Sequence, residues 1–306
     1  MAIKNVALIG ASGTLGPSIL TALNGSPYKT FVLNRASSKS KYPNSSVITI
    51  PDDLDVQEVT KRFNEESIDA LILAISGAHV DAQKKLIDAA FASKVQLVMP
   101  AEFGSCDSAD ERSIALMPLY TNKRDVRDYL VSFEQKERNG RPKLTWTALV
   151  TGHFFDWGLE NNLLRIDINK KIAHLADGGN VKFSASNLSF IAKAVVKVLG
   201  QPEGSKNTLL YVHSNYLTQL ELLAAIEKET GEKFERVNES SAEVIKQHRP
   251  KMLEGDHEAY ETTVAVWGIV SSDWIGSKKL ANGLLGLEEE KVEEVVRRAV
   301  QNVKAA

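Results

Sequence analysis

Val6-Ala7-Leu8-Ile9 is an unbroken apolar run, the pattern of a strand buried on both faces. From Thr14 the period changes. Leu15, Ile19, Leu20 and Leu23 share one helical face, and the pattern stops at Gly25-Ser26-Pro27. Short apolar runs recur at residues 31–33, 47–50, 71–75, 95–99 and 144–149. Helical patterns at residues 55–66, 79–93 and 121–138 fill three of the gaps, whereas the connection from Leu33 to Val47 is short, polar and serine-rich. Parallel neighbours need crossover connections, so this alternation predicts an α/β fold: a doubly wound, mainly parallel sheet with helices on both faces.

After Val150 the pattern loosens. Helices are expected at residues 188–199, 217–229, 240–248 and 288–303, and a strand at residues 209–212. The natural boundary lies near residue 152. It predicts a first domain over residues 1–152 and a smaller α+β substrate domain over residues 153–306, with segments near 181–213 packing back on the sheet.

Composition narrows the function classes. The 306 residues carry 37 Lys plus Arg against 39 Asp plus Glu, a formal net charge of -2, which lacks the basic footprint of a nucleic-acid binder. The longest apolar runs are far too short to span a bilayer. The single Cys106 makes an intramolecular disulfide impossible and fits a reducing compartment. The N-terminus enters a strand pattern at once, so no signal peptide is expected and the expected location is cytoplasmic. The expected partner is a small-molecule substrate, with no nucleic acid and no membrane; a homodimer is left open.

Between the first strand and the first helix lies Gly10-Ala11-Ser12-Gly13-Thr14-Leu15-Gly16. Glycines at this spacing let a backbone turn sharply and approach a pyrophosphate, whose charge then sits on a helix N-terminus. The context predicts an NAD(P)-binding Rossmann fold. The end of the second strand decides between cofactors, because an acid there holds ribose hydroxyls and an Arg accommodates a 2′-phosphate. This chain has Asn34-Arg35, then Ser37, Ser38, Lys39 and Lys41, with no acid between Gly16 and Asp52. Arg35 can grip a phosphate bidentately, which favours NADP(H) over the alternative of a solvated basic loop.

The Tyr-x-x-x-Lys pair of the usual short-chain dehydrogenases is absent. Lys123 instead falls on an apolar stripe made by Leu116, Leu119, Val126, Leu130 and Phe133. Turned toward the sheet and with Arg127 at i+4, its amine would lose hydration and meet like-charge repulsion. Both effects lower its pKa toward a value useful in proton transfer. A snorkelling lysine with its stem on the core edge is the equal alternative.

Two further segments fall where strands end, which is where open α/β sheets bind ligands. Pro100-Ala101-Glu102-Phe103-Gly104 follows the fifth strand, and Thr151-Gly152-His153-Phe154-Phe155-Asp156-Trp157 follows the sixth. The aromatic cluster could stack on nicotinamide or on a flat substrate, or could equally be core between domains. His153 could shuttle a proton or serve structurally. The other histidines form no metal-ligand spacing, so no metal is expected.

Taken in order, Gly10-x-x-Gly13-x-x-Gly16, Asn34-Arg35, Pro100-Ala101-Glu102-Phe103-Gly104 and Lys123 resemble the isoflavone reductase-like, NmrA-like branch of atypical short-chain dehydrogenases. The resemblance spans nearly the whole chain and is nearest to fungal CipA-like oxidoreductases. It implies an NADPH-dependent reductase of a small, aromatic or conjugated metabolite of secondary metabolism, with Lys123, which opens Lys123-Arg124-Asp125-Val126-Arg127, as the catalytic residue. By the same resemblance Arg35 meets the 2′-phosphate, Ile75-Ser76-Gly77 passes under the cofactor, and Glu102-Phe103-Gly104 lies beside the nicotinamide ribose. The expected cofactor contacts are thus Gly10, Ser12, Gly13, Thr14, Leu15, Gly16, Asn34, Arg35, Ser37, Lys41, Ile75, Ser76, Glu102, Phe103, Lys123 and Phe154. His153, Phe155 and Trp157 are expected on the substrate side. The rival classes are a non-catalytic NADP(H)-sensing regulator and a dehydratase or isomerase using the same pocket. Ala101 replaces the Ser of the plant pattern, and residues 151–157 depart from the plant substrate-side sequence, so plant substrates do not transfer.

Overall fold

The computed structural model describes residues 2–200 and 203–305. In chain order its elements are β1 (Asn5–Ile9), α1 (Gly16–Asn24), β2 (Lys29–Arg35), β3 (Ser46–Ile50), α2 (Val56–Glu65), β4 (Ala70–Leu73), α3 (Val80–Ala92) and β5 (Leu97–Met99). There follow α4 (Glu111–Leu116), α5 (Pro118–Val131), β6 (Thr145–Val150), β7 (His153–Phe154), α6 (Phe155–Glu160), β8 (Ile166–Asp167), β9 (Ile172–Ala176) and β10 (Lys182–Ser186). The chain closes with α7 (Leu188–Leu199), β11 (Thr208–Tyr211), β12 (Asn215–Thr218), α8 (Gln219–Thr230), β13 (Glu235–Glu239), α9 (Ser241–Leu253), α10 (His257–Ser271), α11 (Asn282–Leu285) and α12 (Val292–Ala305).

These elements form two compact units. The first comprises the chain up to Glu102, Pro118–Leu149 and Ala192–Leu210; the second comprises Phe103–Met117, Val150–Ile191 and the chain from Tyr211 onward. An unbroken first domain over residues 1–152 is therefore not what forms. The chain leaves the first unit after Glu102, re-enters at Pro118, and returns once more to supply β11. Met117 is extended, as a residue before proline favours, so the apolar stripe that reads as continuous from Leu116 is broken between α4 and α5.

The first unit is built on a seven-stranded sheet of order β11-β6-β5-β4-β1-β2-β3. The pairs β1–β2, β2–β3, β1–β4, β4–β5 and β5–β6 are all parallel. Its inner strands are apolar on both faces because helices cover both, while the edge strand β3 alternates exposed and buried positions; Phe31, Ile48, Leu71, Val98 and Ala148 join Phe63, Leu86, Val126 and Leu130 in one core. Burying a side chain such as Leu71 contributes roughly 1.5–3 kcal/mol.

Arg138 closes one end of this packing. It is 4% exposed, and its guanidinium donates to the carbonyls of Ala90, Phe91, Ser93, Val95 and Pro142. Three of these carbonyls lie at or just beyond the last turn of α3, where a helix leaves acceptors without intrahelical partners. Burial and the neighbouring Arg141 charge bring the guanidinium down to about 10.

In the second unit, β10 pairs antiparallel with β12 and parallel with β7, and β9 pairs parallel with β13 and antiparallel with β8. Phe155, Phe183, Leu222 and Val296 belong to its separate core. Thr218 caps α8 by accepting from the Glu221 amide while the Glu221 carboxylate accepts from the Thr218 amide, a reciprocal box that fixes the helix start. Among the described residues, no helix is long and apolar enough to cross a membrane.

Candidate active site

Strand register sets the site. Ile9 pairs with Leu33 on one side and Leu73 on the other, and Ile72 pairs with Met99. The residues next along these strands, Gly10, Asn34, Ala74 and Pro100, of which Asn34 is still within β2, therefore lie along one edge of the sheet. Strand order reverses between β1 and β4, the switch point at which such sheets bind their ligands.

Gly10 sits at that point with φ of +86°, and a Cβ there would lie 2.2 Å from the Ala74 carbonyl oxygen. A Cβ on Gly16 would lie 2.0 Å from the Gly10 oxygen, so the tight strand-to-helix turn itself requires both glycines. Gly13 differs. Its Cβ would meet only the Gly10 and Ala74 oxygens, at 3.4 and 3.7 Å, which the protein tolerates. Gly13 is exposed together with Ser12 and Thr14, while Leu15 is buried and anchors the turn. A missing side chain that internal packing does not demand is the cradle a close-lying diphosphate needs, so these residues fit a dinucleotide.

At the end of β2, Asn34 donates to the Ser40 carbonyl at 3.3 Å and draws the serine-rich loop together. Arg35, Ser37 and Lys41 are exposed on that loop. One neighbour is not visible from local sequence. Asp52, just past β3, accepts from the Ser37 amide at 3.1 Å and from the Ser37 hydroxyl at 2.6 Å.

Lys123 lies on α5, whose Val126 and Leu130 enter the core beside β5 and β6. Its amine donates to the backbone carbonyl of Glu102, directly after the edge residues that follow β5. Its half-buried stem crosses Gly77, in the turn Ile75-Ser76-Gly77 after β4. The structure thus brings together Lys123, Glu102 and the β4 turn, at the sheet edge that also carries Gly10. Glu102 is 2% exposed and its Oε1 has no hydrogen-bond partner among the described residues. A buried acceptor without a donor is rare and marks a place where a ligand or water completes the bonding.

The remaining expected residues lie in the second unit. Phe103 is half-buried with a φ of +25°, uncommon for a residue with a Cβ. His153 is buried, its Nε2 lies 3.2 Å from the Ala265 carbonyl oxygen, and burial brings it from 6.5 down to about 4. A neutral ring in that contact donates from Nε2 and keeps Nδ1 as its acceptor. A Cβ on Gly268 would stand 2.2 Å from His153 Nε2, so the ring occupies the space that α10 leaves at a glycine. Phe154 and Trp157 are half-buried. Phe155, expected on the substrate side, is instead fully buried in the core of this unit, because it opens α6 facing Leu159, Phe183 and Val296. Among the described residues, no group of three or more His, Cys, Asp or Glu side chains could hold a metal ion.

A glycine turn joining β1 to α1 at the switch point of a parallel sheet defines a dinucleotide-binding protein of the Rossmann class. More narrowly, the chain belongs to the NmrA-like family, whose model matches residues 2–266. It is 30% identical over 310 residues to oxidoreductase aprR of Aspergillus flavus, covering 97% of this chain and 98% of that protein. It is 26% identical over 251 residues to pinoresinol reductase 1 of Arabidopsis thaliana, covering 76% of each. The solved structure of AtPrR2 with NADP+ and (+)-pinoresinol shares the fold with a TM-score of 0.78 at 20% identity, covering 98% of this chain and 99% of that one.

Proposed function

We propose that this protein reduces a small aromatic or conjugated substrate with NADPH, using Lys123 as the proton donor or relay. The chain is an oxidoreductase of its family and its cofactor is NADP(H). In this reading the Gly10–Gly16 turn takes the diphosphate, Arg35 with Ser37 and Lys41 takes the 2′-phosphate, and the Glu102 carboxyl meets a ribose hydroxyl. Bound NADPH supplies a hydride from nicotinamide C4 to an electrophilic carbon.

The observation that carries the reading is the lysine held at the edge of the sheet by the Glu102 carbonyl. That bond fixes the direction of the amine, and the proton it delivers neutralises the negative charge arising when hydride arrives. One hydride and one proton complete a two-electron reduction, and the rest of the acceleration comes from orientation.

The test is NADPH consumption with a panel of quinones and conjugated phenolic ketones, wild type against Lys123→Met. Turnover is expected to fall by about 10²–10⁴-fold, the usual contribution of a positioned proton donor. Affinity for adenosine 2′,5′-bisphosphate should stay unchanged. A Lys123→Met variant that turns over at the wild-type rate rejects the role.

A further inference from the structure

The end of β2 carries no acid, and that absence is the sequence argument for a phosphorylated cofactor. The fold supplies an acid from elsewhere. Arg35 pairs with Ile50 in the β2–β3 register, and the Ala36 amide donates to the Ile50 carbonyl at 3.0 Å. Two residues beyond Ile50, Asp52 therefore stands beside the residues just beyond Arg35. Its Oδ1 takes both hydrogen-bond donors of Ser37, the amide at 3.1 Å and the hydroxyl at 2.6 Å. The Ser37 hydroxyl and amide, with the Arg35 charge adding to them, hold the Asp52 carboxyl below its usual range, so it is an anion at neutral pH.

We infer that Asp52 is a specificity-determining residue: its carboxylate competes with the cofactor 2′-phosphate for Ser37 and lowers the preference for phosphorylated over unphosphorylated dinucleotide. The inference rests on the reading of Arg35 and Ser37 as the 2′-phosphate site. Arg35 attracts that phosphate and Asp52 repels it. A phosphate that takes the Ser37 donors must first displace the carboxylate that already satisfies them, whereas a 2′-hydroxyl faces neither obstacle. The site thereby carries both an arginine suited to NADPH and an acid of the kind that NADH sites use, the acid arriving from β3 rather than β2.

Titration calorimetry of the full chain with adenosine 2′,5′-bisphosphate and with 5′-AMP tests this directly. Asp52→Asn keeps an oxygen for the Ser37 donors and removes the charge. Removing the like charge should let the bisphosphate bind about fivefold tighter to Asp52→Asn. Affinity for 5′-AMP should change by less than about twofold, since it has no 2′-phosphate to repel. Asp52→Ser, which lacks the amide, should shift in the same direction. Unchanged or weaker bisphosphate binding in both variants overturns the inference, as does an equal gain for both ligands. Arg35→Ala separates this failure from that of the underlying site. If it leaves the ratio of the two affinities untouched, the 2′-phosphate reading itself fails. If it lowers the ratio while the Asp52 variants do not raise it, only the role of Asp52 falls.

Discussion

A Cβ on Gly77 would stand 3.0 Å from Lys123 Cε and 3.1 Å from Lys123 Cγ, so the lysine stem lies across a residue that has no side chain. The same position lies 3.1 Å from Leu119 Cδ1. Lys123 is thereby confined from below by Gly77 and held at its tip by the Glu102 carbonyl.

Gly77→Ala should move the amine by a few tenths of an ångström without unfolding the protein. We expect turnover to fall roughly tenfold, since misplacement by about 1 Å can lose 10²-fold. Affinity for adenosine 2′,5′-bisphosphate should hold. Steady-state kinetics beside calorimetry makes the comparison, and an unaltered kcat would mean that the close approach is incidental.

The two kinds of glycine in the β1–α1 turn should separate folding from binding. Gly10→Ala forces a Cβ against Ala74 in a left-handed conformation, and thermal or urea unfolding should register a loss of about 3 kcal/mol or more. Gly13→Ala should change stability by only about 0.5 kcal/mol. Its added methyl should instead weaken NADPH binding about tenfold by crowding the diphosphate. Equal losses of stability in the two variants would contradict this division.

Arg138→Met should be one of the more destabilising single changes in the first unit. The aliphatic stem is replaced but five carbonyls lose the guanidinium as a donor, Ala90 keeping the Ser93 hydroxyl, and about 3 kcal/mol is expected from leaving buried acceptors under-bonded. Urea denaturation measures the change. A midpoint equal to wild type would show that water replaces the guanidinium freely.

His153 predicts a pH dependence of stability. Its folded value of about 4 lies below the ordinary 6.5, so the unfolded chain takes up the proton first as pH falls. The stability this group contributes is fully present above 6.5 and is lost between 6.5 and about 4, by about 3 kcal/mol in total. His213, bonded to Ser184 at 2.9 Å and Glu289 at 3.1 Å, is likewise lowered by burial and adds in the same sense. Denaturation from pH 8 to 4.5 should therefore be shallower in His153→Gln than in wild type. Parallel curves would exclude His153 as a source.

Legibility in the sequence followed burial. The strands β1, β2, β4, β5 and β6 read as apolar runs because helices cover both faces of their sheet, and the edge strand β3 reads as one from its β-branched residues although Val47 is exposed. By contrast β7 and β8 have two residues each, and β13, Glu235-Arg236-Val237-Asn238-Glu239, is largely polar at a sheet edge. Helix α10 was hidden for the opposite reason. Ala259, Thr263, Ala265, Val266, Gly268 and Ile269 are all buried, so no polar stripe marks its period. The break at Met117 did leave a signal in Pro118. In the candidate site, the Gly-rich turn stands out from local spacing, whereas the spacing around Lys123 fits proton transfer and a snorkelling stem equally and only the family resemblance separates them. The clasp of Asp52 on Ser37 was not legible, because it depends on the β2–β3 register. Phe155 could not be told from a ligand-facing aromatic until the partners around it were known.

The interleaving of the two units also bears on the order of synthesis. The first unit receives its last strand, β11, only at residues 208–211, long after its glycine turn and Lys123 have been made. Until then the Trp146 carbonyl lacks the Asn207 amide and the Trp146 amide lacks the Asn207 side-chain oxygen, which leaves β6 as an open edge. A nascent chain long enough to hold the glycine turn and Lys123 is thus still an unfinished sheet, and its closure waits on the far side of the first two segments of the second unit.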